Sequence, residues 1–160
     1  GFCFGVEDAI ELAEAAVAVA NVIAPRSRVR DAAAVPQAVY SALELARMGM
    51  SEDQAEDEGR EPAVGFAAFE VNPAALSQDD ASGFVRLVAD MDSGELLGAE
   101  VVGTNAGELI HQLAHEYRNP EALAHIAGVR YNHPTRSEEL RNAVETLAAK
   151  WGLKRQVFGG

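Results

Sequence analysis

Phe84-Val85-Arg86-Leu87-Val88-Ala89-Asp90, a loop containing Asp92-Ser93-Gly94, and then Leu96-Leu97-Gly98-Ala99-Glu100-Val101-Val102 form the stretch that decides the fold. Two β-prone runs flank a short Gly-containing turn, and that arrangement predicts an antiparallel hairpin. Working upstream, residues 64–71 alternate loosely, carry Phe66 and Phe69, and read as another strand. Residues 51–59 read as an acidic helix that Ser51 caps at its start and Gly59 closes at its end. Ala38-Val39-Tyr40, after Pro36, is a short β-prone run. Downstream the pattern turns helical. Asn105 begins a capped turn with Glu108 three residues on, and Leu109, Ile110, Leu113 and Tyr117 give an apolar face. Asn119-Pro120 predicts a second helix with Pro at its first position. Thr135 and Glu138 have capping-box spacing for a last helix, whose Leu140, Val144, Leu147 and Trp151 form one stripe. Strands first and helices after predict an α+β fold: an antiparallel sheet of about four to five strands with helices packed on one face.

At the N-terminal end, residues 7–23 are rich in Ala, Glu and Val with helical apolar spacing, and Pro25 ends them before a basic link at Arg26, Arg28 and Arg30. The expected organisation is a helix and linker over 1–34, a main domain over 35–154 and a tail over 155–160. The 160 residues suffice for one domain with a real core, and 48% hydrophobic with 24% charged residues is a globular composition. No apolar run approaches the roughly 20 residues of a membrane span. Gly1 in place of Met reads as an excised or processed chain, and without a targeting signal a cytoplasmic location is expected.

Acidic residues outnumber basic ones, 25 to 13, for a formal net charge of -12, and Lys occurs only at Lys150 and Lys154. Such a surface repels phosphate backbones, which argues against a nucleic-acid partner. It also suits a protein kept soluble at high salt, where screening relieves self-repulsion. That reading is preferred over a merely acidic cytosolic protein. Cys3 is the sole cysteine, so the chain holds no redox pair of its own.

Three places invite a chemical reading. His111 and His115 lie four apart on a helix, close enough to share a metal, but Gln112 stands where a zinc-protease helix needs Glu. A solvated helix face is the preferred reading, and no metal is expected. Gly103-Thr104-Asn105-Ala106-Gly107 joins a strand to a helix yet lacks both GxGxxG and a P-loop Lys, and reads as a tight turn. The third place is Tyr131-Asn132-His133-Pro134-Thr135-Arg136-Ser137-Glu138-Glu139-Leu140. His exchanges protons near neutral pH, and a carboxylate can orient it and support its cation. Pro134 restricts His133 to extended backbone and leaves a cis bond open. Two readings stay open on these residues alone: Glu138 reaches back to His133, or it completes a capping box with Thr135 beside an ordinary loop histidine.

The run His133-Pro134-Thr135-Arg136-Ser137-Glu138 resembles the HPTxSE signature of the FAD-dependent pyridine nucleotide-disulfide oxidoreductases, a family that includes dihydrolipoamide dehydrogenase and glutathione reductase. Gly83-Phe84-Val85-Arg86-Leu87-Val88 resembles that family's GFVKLV-type strand, and the blocks at 97–103 and 106–110 follow in order. Val35-Pro36-Gln37-Ala38-Val39-Tyr40 and Met48-Gly49-Met50-Ser51-Glu52 are similar to the opening of the same C-terminal dimerisation domain. Arg136 stands at a position often apolar in the family, and Tyr131 where many members have another His.

The resemblance implies a dimerisation domain that follows FAD and NAD(P) domains, with residues 1–34 as the tail of the flavin domain. It implies a homodimer acting on a disulfide or dithiol substrate, with FAD and NAD(P) held in the full-length enzyme and no cofactor in this chain. His133 then serves the partner subunit's active site as acid–base, and Glu138 holds its imidazole. The alternative is a stand-alone dimerisation or interaction module with the fold but no catalysis. A metal-dependent enzyme using His111 and His115 is the third reading, and no membrane partner is expected.

Overall fold

Across the hairpin, Phe84 faces Val102 and Arg86 faces Glu100, with a register shift between Val88 and Ala89. The computed structural model describes residue 33 and residues 35–151. Its elements run β1 (Gln37–Val39), β2 (Leu45–Gly49), α1 (Glu52–Asp57), β3 (Pro62–Ala68), α2 (Pro73–Ser77), β4 (Phe84–Asp90), β5 (Leu96–Val102), α3 (Ala106–Ala114), α4 (Ala122–Gly128) and α5 (Glu138–Trp151). A 3₁₀ turn, Phe69–Val71, joins β3 to α2. The five strands form one antiparallel sheet in the order β1-β2-β5-β4-β3, so the architecture is α+β. The predicted helix at 7–23, the arginines at 26, 28 and 30, Cys3 and the 155–160 tail lie outside the described residues, as does the Trp151 side chain.

Strand residues alternate between faces, and the register lines them up in rows. Ala46, Val101, Val85 and Ala67 make one buried row, and Met48, Ala99, Leu87 and Gly65 the next. Against this face pack Leu109, Ile110 and Leu113 of α3, Leu123 and Ile126 of α4, and Leu140, Val144 and Leu147 of α5. Each such aliphatic side chain contributes about 1.5–3 kcal/mol by leaving water. The approach of α5 is close: a Cβ on Gly65 would stand 2.2 Å from the Ala143 carbonyl oxygen. The intervening row, Arg47, Glu100, Arg86 and Phe66, turns to the opposite face. One corner of that face is covered by α1, where Met50, Ala55, Val88 and Leu97 form a second small cluster.

Several expectations shift in detail. Ser51 caps α1 in a full capping box with Gln54, and Gly59 follows its end at φ +73°. The strand expected over 64–71 begins at Pro62 and stops at Ala68, because the chain then tightens into the 3₁₀ turn that buries Phe69. β2 was not foreseen as a strand. Asn105 occupies the N-cap position of α3 in left-handed geometry (φ 64°), and its side chain makes no capping bond. The helix expected from Pro120 starts at Ala122, because the Asn119 side chain first accepts the Glu121 N–H in a turn of its own. Tyr117 falls beyond α3, where it bridges to Leu96 and packs partly buried against the core. Among the described residues no helix is long and apolar enough to cross a membrane.

Candidate functional site

The start of α5 is where the sheet's helical layer meets solvent, and the segment leading into it carries His133. The His133–Pro134 peptide is cis. Three residues after Thr135, Glu138 turns back over the segment. Its Oε2 accepts the Thr135 backbone N–H at 2.9 Å, and its Oε1 lies 3.1 Å from His133 Nδ1. The two readings left open by the sequence are therefore compatible, one per carboxylate oxygen. The reciprocal half of a capping box is absent: the Glu138 N–H points to the Thr135 carbonyl at 3.4 Å, and Thr135 Oγ1 takes the Ser137 N–H.

Hydrogen bonds hold the Glu138 carboxyl below its ordinary 4.5, the Thr135 N–H contributing most and His133 next, with burial opposing them and Arg141 adding a weaker pull. An ionised carboxylate only accepts, so His133 Nδ1 must carry a proton. In the neutral ring, Nε2 is then the basic nitrogen. The His133 side chain is 69% exposed while that of Glu138 is 14% exposed, so a sheltered carboxylate holds an imidazole that stands out of the surface. The pair can take a proton at Nε2 and stabilise the resulting cation against Glu138.

Elsewhere the candidates do not converge. His111 and His115 are both exposed on and just after α3, and among the described residues no three His, Cys, Asp or Glu side chains are placed to hold a metal ion. Gln112, between them, donates to Ser137 Oγ at 3.0 Å and so ties α3 to the His133 segment. Residues 103–107 form a tight strand-to-helix turn, and a Cβ on Gly107 would stand 2.7 Å from the Tyr40 hydroxyl. His125, which the sequence did not single out, bonds Glu116 at 3.0 Å. A surface concavity lined by Arg47, Met50, Gln54, Arg86 and Glu100 includes neither His133 nor Glu138. Asn72 was also missed, although Asn followed by Pro73 is an N-cap signal visible in the sequence.

An α+β domain with an antiparallel five-stranded sheet, presenting a His–Glu pair at a helix start, defines the class. The chain belongs to the pyridine nucleotide-disulphide oxidoreductase dimerisation-domain family, whose model matches residues 35–144. It is 39% identical over 144 residues to dihydrolipoyl dehydrogenase of Haloferax volcanii, covering 88% of this chain and 30% of that protein. It is 42% identical over 113 residues to dihydrolipoyl dehydrogenase 2 of Haloarcula marismortui, covering 71% of this chain and 24% of that protein. These haloarchaeal sources agree with the high-salt reading of the acid excess. Among solved structures, LpdA from Mycobacterium tuberculosis superposes with a TM-score of 0.71 at 19% identity, covering 81% of this chain and 28% of that one. The HOCl-induced flavoprotein disulfide reductase RclA from Escherichia coli gives 0.66 at 21% identity over 80% of this chain and 30% of that one. At those identities the likeness concerns the fold. The chain thus spans less than a third of the length of these relatives.

Proposed function

We propose that this chain is the part of a dihydrolipoyl dehydrogenase-like, FAD- and NAD(P)-dependent disulfide oxidoreductase that pairs two subunits and lends His133 and Glu138 to the partner's active site. The carrying observation is the exposed imidazole held through Nδ1 on a sheltered carboxylate, its Nε2 without a hydrogen-bond partner among the described residues. A dithiol placed against Nε2 would give up a proton to His133, leaving a thiolate able to attack a disulfide. The imidazolium would be stabilised by Glu138 and return the proton to the thiolate that leaves when the disulfide is cleaved. The strand-to-helix turn at 103–107 lacks the GxGxxG and P-loop patterns that would hold a flavin or nicotinamide dinucleotide. Those groups, which would carry the electrons, belong in this proposal to other parts of the protein, with residues 1–34 leading from them and 35–154 forming the dimerisation domain. A cytoplasmic location is part of the same proposal.

The test is to join this segment to complete flavin and nucleotide domains of a relative and compare the parent with His133→Ala. Disulfide turnover should fall by about 10²–10⁴; undiminished turnover would overturn the acid–base role. Sedimentation of the parent should show a dimer, and a strict monomer would remove the partner subunit from the proposal.

A further inference from the structure

We propose that Asn72 and Arg136 are positioning residues for the His133–Glu138 pair, two buried side chains that pin the entrance of α5 to the segment after β3 so that Thr135 presents its N–H to Glu138. The inference rests on the acid–base reading of that pair and adds the machinery that aims it. Asn72 is 1% exposed. Its Nδ2 donates to the Thr135 carbonyl at 3.0 Å and to Glu139 Oε1 at 2.9 Å, while its Oδ1 accepts the Ala75 N–H at 3.0 Å. Glu139, itself buried, takes a further bond from Asn142 at 2.9 Å. Thr135 is therefore fixed at both backbone polar atoms, its carbonyl by Asn72 and its N–H by Glu138.

Arg136 holds the next residue. It is 5% exposed, and its Nη2 donates to the Asp80 carbonyl at 2.5 Å, to the Asp80 carboxylate at 3.1 Å and to Gln78 Oε1 at 3.3 Å. Its guanidinium lies over the Phe69 ring, 5.4 Å from the centroid, and Asp80 is braced in turn by Thr104. Stability alone gives no account of this choice. Among the described residues Arg136 Nε and Nη1 are buried without a hydrogen-bond partner, a costly arrangement, and apolar side chains commonly replace buried ions with no loss of stability. What the ions and amide supply, and an apolar plug cannot, is direction: fixed bonds that set where Thr135 lies and hence where Glu138 meets His133.

The experiment uses the 160-residue chain and NMR, with no flavin or substrate. Asn72→Ser retains a capping oxygen for α2 but is too short to donate to the Thr135 carbonyl. Arg136→Met retains bulk over Phe69 and drops the donors. In either variant the Glu138 carboxyl should titrate closer to its ordinary 4.5 than in the parent, and the Thr135 amide should lose its response to that titration. His133, Arg141 and the Thr135 N–H are the groups facing Glu138, and only the last is altered by the design. A purely structural role would lower the unfolding midpoint and leave the Glu138 titration in place, and that result in folded variants overturns the proposal. Should neither variant fold, exchange of the Asn72 side-chain amide protons in the unmodified chain decides: slowing by an order of magnitude or more supports the pin, and exchange at the rate of a free side-chain amide overturns it. Because no turnover is measured, this outcome is independent of the His133→Ala assay.

Discussion

Two carboxylates at opposite ends of the fold are held below their ordinary range, and only one of them supports a chemical group at the surface. Asp90, closing β4, is 3% exposed at its side chain. Burial pushes its carboxyl up, but Ser93 Oγ at 2.7 Å, Arg60 Nη1 at 2.8 Å and the Glu61 N–H at 3.2 Å together bring it below 3.8. Every one of those partners is spent on tying the hairpin turn to the segment before β3, and Arg60 also bridges to Glu95 at 2.9 Å. Glu138 is held in a similar way, by a backbone N–H and a side chain, but its side-chain partner is an imidazole whose other nitrogen has no hydrogen-bond partner among the described residues. A closed set of partners makes a brace, whereas one open valence is what the proposed acid–base role requires of a tool.

Mutation can break this contrast, beginning with the tool. In the complete enzyme His133→Ala should remove about 3–5 kcal/mol of transition-state stabilisation, the equivalent of the loss stated above, while thermal unfolding of the 160-residue chain moves by less than about 0.5 kcal/mol. A large stability loss would show that the imidazole is also a brace. Asp90→Ala should do the reverse. It leaves the Glu61 N–H and the Ser93 hydroxyl proton without their acceptor and Arg60 with Glu95 alone, so urea denaturation should report a loss of about 2–3 kcal/mol. A loss below about 0.5 kcal/mol would mean that the hairpin does not depend on its closed set.

Acid sharpens the comparison. A carboxylate whose folded pKa is depressed stabilises the fold above its ordinary value, and that contribution is lost as pH falls through the folded one. For Glu138 the loss begins as pH drops below 4.5, and for Asp90 only below 3.8. The stability gap between parent and Glu138→Gln should thus be about 1 kcal/mol at neutral pH and close as the solution is acidified. A gap constant with pH, measured by urea midpoints, would mean that Glu138 ionisation is not what holds the α5 entrance. The smallest effect concerns the cations. Arg141 lies 3.8 Å from both Glu138 and Glu145, so Arg141→Met should change stability by less than about 0.5 kcal/mol. Arg60→Met should cost more, since it strips a buried carboxylate of a 2.8 Å partner.

What could be read from the chain followed the range of the interactions. The 84–102 hairpin and α5 were legible because alternation, a Gly-containing turn and an apolar stripe are local signals. In the turn Gly94 sits at φ +77°, a conformation that glycine adopts without a Cβ penalty. β2 was not legible. Leu45-Ala46-Arg47-Met48 are good helix formers, yet the strand lies between β1 and β5, and pairing on both sides overrides local preference. Of the site, His133 and Glu138 are five residues apart and could be connected on sight. Asn72 reaches Thr135 across 63 positions, and nothing in either neighbourhood announces the bond. Arg136 was visible as an unusual residue, but its partners Gln78 and Asp80 are supplied only by the packing of α5 on the sheet.

The division of labour within Glu138, one oxygen for the backbone and one for the ring, separates the mounting from the reagent. Removing the ring leaves the carboxylate still fastened to Thr135, an empty socket with its charge in place. Free imidazole added to a His133→Gly enzyme therefore meets a prepared acceptor and should restore part of the lost turnover. Added to an enzyme carrying both His133→Gly and Glu138→Ala it should restore nothing, because the fixture itself has gone.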